Sequence, residues 1–189
     1  MIIKNNKINN ALEQLRKGNI IIYPTDTIYG FGVDATNSLS IKKLNILKGR
    51  QTPLSIMINN IKSIEKYAFL DQKQSLSISK ILPGPYTILL KARKSILSKL
   101  VQQGSKKIGI RIPKNEFCLK LLSEFNAPII TTSVNKHGEK SINDINLIEK
   151  IFFDINIYED NINENSKGST IVDFTETPYK VIRNGEGLF

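Results

Sequence analysis

Tryptophan is absent from this 189-residue chain, and histidine and cysteine occur once each. A lone Cys118 cannot close a disulfide within the chain. It sits in the apolar helical pattern "FCLKLLSEF", which makes it a small core side chain and points to a reducing compartment. A lone His137, in a polar loop, has no second His or Cys to build a metal site with and is assigned no catalytic role. No apolar run approaches the ~20 residues that span a bilayer, so the expectation is a cytoplasmic protein without membrane contact. Also missing are a G-x-x-x-x-G-K-[ST] phosphate loop, a G-x-G-x-x-G opening a helix, a nucleophile elbow, a zinc signature and a paired-carboxylate motif. Acids are few, with 17 Asp and Glu against 27 Lys and Arg, for a net charge of +10. The lysines are scattered, with no arginine-rich block and no aromatic–basic interleaving. Such a charge reads as a solvated surface whose field also suits a polyanionic ligand such as a nucleotide; a nucleic-acid partner is the alternative.

What is present is a regular alternation of helix and strand patterns. "INNALEQLRKG" carries Ile8, Ala11, Leu12 and Leu15 on one helical face and stops at Gly18. "NIIIY" is a continuous apolar run, the mark of a strand buried on both faces. "SIKKLNILKG" predicts a helix capped by Ser40 and ended by Gly49. "LSIMI" is a strand, followed by helical patterns over 60–68 and 71–81. "ILLKA" and "KIGIRIP" read as strands around a short helix near 95–102. "NEFCLKLLSEF" is an amphipathic helix, "PIITTSV" a strand, and "SINDINLIEKIF" a helix opened by Ser141 with Asp144 three residues on. "DINIYED", "STIVDFT" and "YKVIRNG" close the chain as strands, with "EDNINENSKGS" a surface loop. The expectation is one domain over 1–189, of mixed α/β (α+β) class.

Four groups of polar residues sit at strand ends or helix starts, where α/β folds place ligands. In "YPTDTIYGFGVDA", Thr25, Asp26, Thr27 and Tyr29 follow a strand, and Gly30 and Gly32 permit a tight turn or a close approach. A turn in which Asp and Thr bond their own backbone accounts for Asp26, but not for two threonines and a tyrosine together. In "KGRQTPL", Lys48 and Arg50 either complement a helix dipole or grip a phosphate chain. In "TTSVNKHGEKS", Ser133 and Asn135 are two apart and share a face of an extended chain. Arg111 interrupts an apolar strand, so it either faces a cleft or pairs with an acid. Ser169 and Arg183 each lie beside glycines and either line a pocket or satisfy a turn.

Seven segments, "YPTDTIYGFGVDA", "KGRQTPL", "LPGPYTILLKA", "IGIRIP", "TTSVNKHGEKS", "GSTIVDFT" and "VIRNGEG", stand in the order found in the YrdC-like family, and the chain resembles that family over roughly 8 to 185. The resemblance implies an open twisted mixed sheet with flanking helices around a large basic cavity. It implies synthesis of threonylcarbamoyl-AMP from L-threonine, bicarbonate or CO2, and ATP with Mg²⁺, releasing pyrophosphate. The product serves N6-threonylcarbamoyladenosine formation at position 37 of ANN-decoding tRNAs. By the same resemblance Lys48, Arg50, Ser133 and Asn135 form a catalytic, nucleotide-binding tetrad, joined at the nucleotide by Ser141 and Arg183. Thr25, Thr27, Tyr29, Arg111 and Ser169 are implied at the threonine pocket. Hand-off of product to the tRNA threonylcarbamoyl transferase complex and weak tRNA binding are implied as well. The pattern departs from the family at Met57, where many members have a histidine near threonine, and at "RNG", where "RPG" is usual. Two alternatives stand beside it: an RNA-binding module of the same fold without synthase activity, and a paralogue with another acceptor.

Overall fold

A computed structural model describes residues 1–4 and 6–189. Its strands, in chain order, are β1 (Ile2–Lys4), β2 (Ile21–Tyr23), β3 (Gly30–Gly32), β4 (Ser55–Met57) and β5 (Tyr86–Lys91), then β6 (Lys107–Arg111), β7 (Ile129–Ser133), β8 (Asn156–Glu159), β9 (Thr170–Asp173) and β10 (Lys180–Arg183). The α-helices are α1 (Ile8–Arg16), α2 (Ser38–Lys48), α3 (Gln72–Ile78), α4 (Glu116–Phe125) and α5 (Ile145–Ile151). The strands form one mixed sheet in the order β1-β8-β2-β3-β7-β4-β6-β5-β9-β10. The sheet combines parallel pairs (β2 with β8, β4 with β6) with a central run of antiparallel ones (β2 with β3, β3 with β7, β4 with β7).

Alternation along each strand divides the apolar residues between two layers. Ile21 and Tyr23 of β2, Met57 of β4 and Ile129 of β7 pack with Ile8, Leu12, Phe117 and Leu121 from α1 and α4. Ile22, Ile56 and Ile130, one step along the same strands, pack with Ile41 and Leu44 of α2 and Ile148 of α5. Full burial of such a side chain stabilises by about 1.5–3 kcal/mol, so both faces contribute to holding the central strands flat between helices. The run "NIIIY" is therefore buried on both sides because its alternate residues enter different cores.

Gly32 and Gly109 exist for close approach. A Cβ on Gly32 would lie 2.6 Å from the Tyr23 ring, and one on Gly109 2.3 Å from Ser55 Oγ. Neither has a positive φ, and Gly30 and Gly32 both lie within β3, so the tight turn offered by the sequence is not what these glycines supply.

Several expected elements shift for identifiable reasons. No helix forms near 95–102: the N–H of Ser98 bonds to Ala35 O, and the N–H groups of Leu97 and Leu100 turn to serine side chains. α2 begins at Ser38 under an Asn37 cap, because Ser40 Oγ is spent on Gly18 O. α5 begins at Ile145 with Asp144 itself as the cap, since the N–H of Ile142 bonds back to Val134 O and keeps the chain from Ser141 extended. The 60–68 pattern contracts to a 3₁₀ helix (Ile61–Lys66), and 71–81 to α3 with an Asp71/Gln74 capping box. The short β1, parallel to β8, had no periodicity to announce it.

Candidate active site

The layer under α1 and α4 changes character partway along its strands. Met57 and Ile129 are register partners buried in the apolar cluster. Two residues along, Ser55 and Thr131 are also partners, and they line a cavity of about 290 Å³. Thr87 of β5, Arg111 of β6, Ser133 of β7 and Ser169 before β9 continue the same hydroxyl-rich floor. Gly30, opposite Ser133 in the β3–β7 pairing, brings bare backbone to one wall.

Three guanidinium groups face this space, from Arg50, Arg111 and Arg183, and among the described residues no carboxylate lines it. Arg111 is held from behind: its Nη2 donates to Asp26 Oδ1 at 2.7 Å and to Thr27 Oγ1 at 3.1 Å. Asp26 Oδ2 also accepts from the N–H of Lys114. Both readings of Arg111 therefore hold, since it pairs with an acid and faces a cleft. Its Nε is buried without a hydrogen-bond partner. Arg183 donates to Ser169 O from Nε and Nη2 (3.1 and 2.6 Å) and to Ser169 Oγ at 3.0 Å, and Ser169 Oγ lies 2.8 Å from Thr87 Oγ1. Arg183 is exposed along part of its side chain, but the partial desolvation of its guanidinium, together with the neighbouring Arg111 charge, lowers its pKa, and burial lowers that of Arg50. Both shifts mark cations crowded in a place that an anion would relieve.

Lys48, in the last turn of α2, lies beneath the end of β7 with only 2% of its surface exposed. Its ammonium donates to Ser133 O, Asn135 O and Asn135 Oδ1 at 2.6, 2.8 and 2.7 Å. Ser133 Oγ donates to the same Asn135 Oδ1 at 2.7 Å. Burial, reinforced by Arg50, pulls the Lys48 pKa down from 10.5 to about 8. Because three oxygens surround it, each of its protons is in use until that pH.

The sequence-derived residues thus fall into three groups. Thr25, Tyr29, Arg50, Arg111, Ser133, Ser169 and Arg183 line one cavity. Lys48, Asn135 and Thr27 are joined to lining residues by hydrogen bonds but lie behind them. Ser141 lies outside the lining. In the opening loop, Thr25 Oγ1 accepts from the N–H groups of Thr27 and Ile28 and donates to Ile28 O, which is the local turn. Tyr29 OH donates to Asp160 O at 3.0 Å, so Tyr29 offers the cavity its ring. Sequence reasoning missed Ser55, Thr87 and Thr131; the signal available was a hydroxyl at alternate positions of otherwise apolar strands. It also assigned Asp26 to the turn, whereas its carboxylate is the partner of Arg111. Cys118 is fully buried, its Sγ against Pro24 O, and burial pushes its pKa up, as expected of a core thiol.

The Sua5/YciO/YrdC family model, described as "Telomere recombination", matches residues 13–185. A putative threonylcarbamoyl-AMP synthase of Methanocaldococcus jannaschii is 36% identical over 183 residues, covering 93% of this chain and 86% of the relative. The YciO protein of Escherichia coli is 29% identical over 188 residues, covering 95% of this chain and 89% of that one. The crystal structure of Pyrococcus abyssi Sua5 with L-threonine superimposes with a TM-score of 0.88 at 27% identity, covering 98% of this chain and 57% of that one. The chain thus spans a little under three fifths of the Sua5 chain.

Proposed function

The chain belongs to the Sua5/YciO/YrdC family, and from that membership we propose that it is a threonylcarbamoyl-AMP synthase. It would make threonylcarbamoyl-AMP from L-threonine, bicarbonate or CO2, and ATP, for N6-threonylcarbamoyladenosine in tRNA. The observation that carries this reading is the single cavity with three arginines, a hydroxyl floor and no carboxylate. Relatives named threonylcarbamoyl-AMP synthase and the threonine-bound Sua5 structure support the substrate choice.

The chemistry needs alignment and charge neutralisation rather than a nucleophilic side chain. The deprotonated threonine amine attacks CO2 to give an N-carboxylate. A carboxylate oxygen then attacks the α-phosphorus of ATP, and the bond to the β-phosphate oxygen breaks to release pyrophosphate. Arg50 is assigned to the phosphates, where its fork can meet two oxygens at once. Arg111 and the hydroxyls around it are assigned to threonine, with Thr25, Thr27, Tyr29 and Ser169 shaping that end. Arg183 and Ser141 are assigned to the nucleotide end. Among the described residues no cluster of acids, His or Cys could hold a metal, so Mg²⁺ is assigned to the triphosphate as part of the substrate.

Threonine-dependent incorporation of labelled bicarbonate into a product that also contains AMP tests the proposal; label uptake indifferent to threonine would defeat it. A second reading, a synthase-like paralogue with another amine acceptor, is favoured by Met57. That side chain is buried two residues along β4 from Ser55, its sulfur 3.9 Å from Tyr23 OH. A panel of amino acids separates the two, since the synthase reading requires the largest kcat/KM for threonine.

The low Lys48 pKa gives a pH test. In the window from about 8 to 10.5 the unfolded chain keeps a proton that the folded protein has released. Folding stability from this group therefore rises with pH there, because burying its charge is what costs. Activity is expected to move the opposite way, falling through about pH 8 as the ammonium loses a donor. A Lys48→Arg variant should lack that alkaline decline in its residual activity, as a pH profile of kcat/KM would show.

A further inference from the structure

Lys48 is the residue whose surroundings match a phosphate-gripping role least. An ammonium has three N–H donors, and the oxygens of Ser133 and Asn135 take all three at 2.6–2.8 Å. The Phe31 ring covers it at 5.4 Å, and it is absent from the cavity lining. Reaching a phosphate oxygen would leave a buried carbonyl without its donor. Arg50, two residues on, lines the cavity, and its side chain makes one bond, to Pro53 O at 3.0 Å.

What Lys48 does hold is the chain around Ser133. Asn135 Nδ2 donates to Glu139 O at 2.6 Å, which fixes the amide so that Oδ1 faces Lys48 and Ser133. The N–H of His137 donates to the Lys48 carbonyl at 2.9 Å, so the loop after β7 is tied to this one residue by both its side chain and its backbone. The only proton of the Ser133 hydroxyl is turned back onto Asn135 Oδ1, and its oxygen is set at the cavity wall.

We propose that Lys48 is a positioning residue: it clasps Asn135 and, through Asn135, orients the Ser133 hydroxyl, while Arg50 is the member of the Lys-x-Arg pair that touches substrate. This deepens the synthase reading and rests on it for the identity of the substrate. The clasp accounts for a cation buried with a lowered pKa behind the cavity wall rather than in its lining. It also explains why a strand-end serine and an asparagine two residues later must accompany the lysine.

A double-mutant cycle on the full chain tests it, with ATP affinity and threonine-dependent kcat/KM as readouts and thermal melting to follow folding. Lys48→Met is expected to reduce both readouts about thirtyfold in the parent protein, but less than about threefold when Ser133→Ala and Asn135→Ala are already present. With Arg50→Ala the losses should multiply, because the two side chains act separately. Lys48→Arg keeps the charge but cannot aim three donors from one atom, so it should fail as badly as Lys48→Met. A Lys48→Met cost that persists at full size in the Ser133/Asn135 background overturns the proposal, as does one missing from the parent. Recovery to within threefold by Lys48→Arg overturns it too. Should Lys48→Met not fold, Lys48→Arg takes its place in the same cycle. A parent protein that binds ATP but shows no threonine-dependent turnover would defeat the synthase reading, while the ATP-affinity cycle would still decide the role of Lys48.

Discussion

Asp26→Ala is expected to destabilise the folded protein by about 3–5 kcal/mol, read as the shift in a denaturant unfolding curve. The Asp26–Arg111 ion pair is 2.7 Å long, with side chains 6% and 7% exposed. Removing the carboxylate leaves a guanidinium with an unpartnered Nε, beside Arg183 and, among the described residues, with no acid in the cavity lining to replace it. It also strips the acceptor from the N–H of Lys114. Asp26→Asn keeps the shape and an acceptor but loses the charge, so it should fall between the two. Arg111→Met added to Asp26→Ala should recover part of the loss, because no orphaned charge remains. A single Asp26→Ala variant within about 1 kcal/mol of the parent would show that the pair is far better hydrated than its burial implies.

Arg50→Ala should do the reverse, leaving the fold intact while lowering kcat/KM for ATP by about 10²–10³-fold. Arg50 is partly buried just beyond the end of α2, and its side chain makes one hydrogen bond, to Pro53 O. Its stability cost should stay within about 0.5–1.5 kcal/mol, the net worth of one such bond. Arg50→Lys keeps the charge but loses the planar fork, so it should recover only a fraction of the lost turnover. Steady-state kinetics beside a melting curve decides the matter, and full activity in Arg50→Ala would remove this arginine from the phosphates.

Most strands of this fold were legible because their apolar runs are short and bounded, whereas β1 and the glycine-flanked β3 carry no such run; the helices α1 and α4 were legible because Ile8, Leu12, Leu15, Phe117 and Leu121 repeat at helical spacing. Element ends were less so, since they depend on partners far along the chain. Ser40 looks like a cap until Gly18 O claims its hydroxyl, and Ser141 like a helix start until Val134 O claims Ile142. The site was legible as a set of segments that reach one cavity, but not as a division of labour. Asp26 could not be told from a turn residue, because its partner Arg111 is 85 positions away. Lys48 and Arg50 look equivalent two residues apart, yet α2 ends at Lys48 and the left-handed Gly49 turns the chain, leaving one beneath β7 and the other at the cavity wall. Met57, read from the sequence as a departure at the threonine end, proves to be two residues along β4 from the Ser55 floor, packed against Tyr23.

Release of pyrophosphate from ATP and Mg²⁺ in the presence of bicarbonate, with threonine added or withheld, tests the central claim most directly. The proposed synthase releases pyrophosphate in step with threonylcarbamoyl-AMP, and only when threonine is present. Release at the same rate without threonine, or none with all substrates supplied, would contradict it.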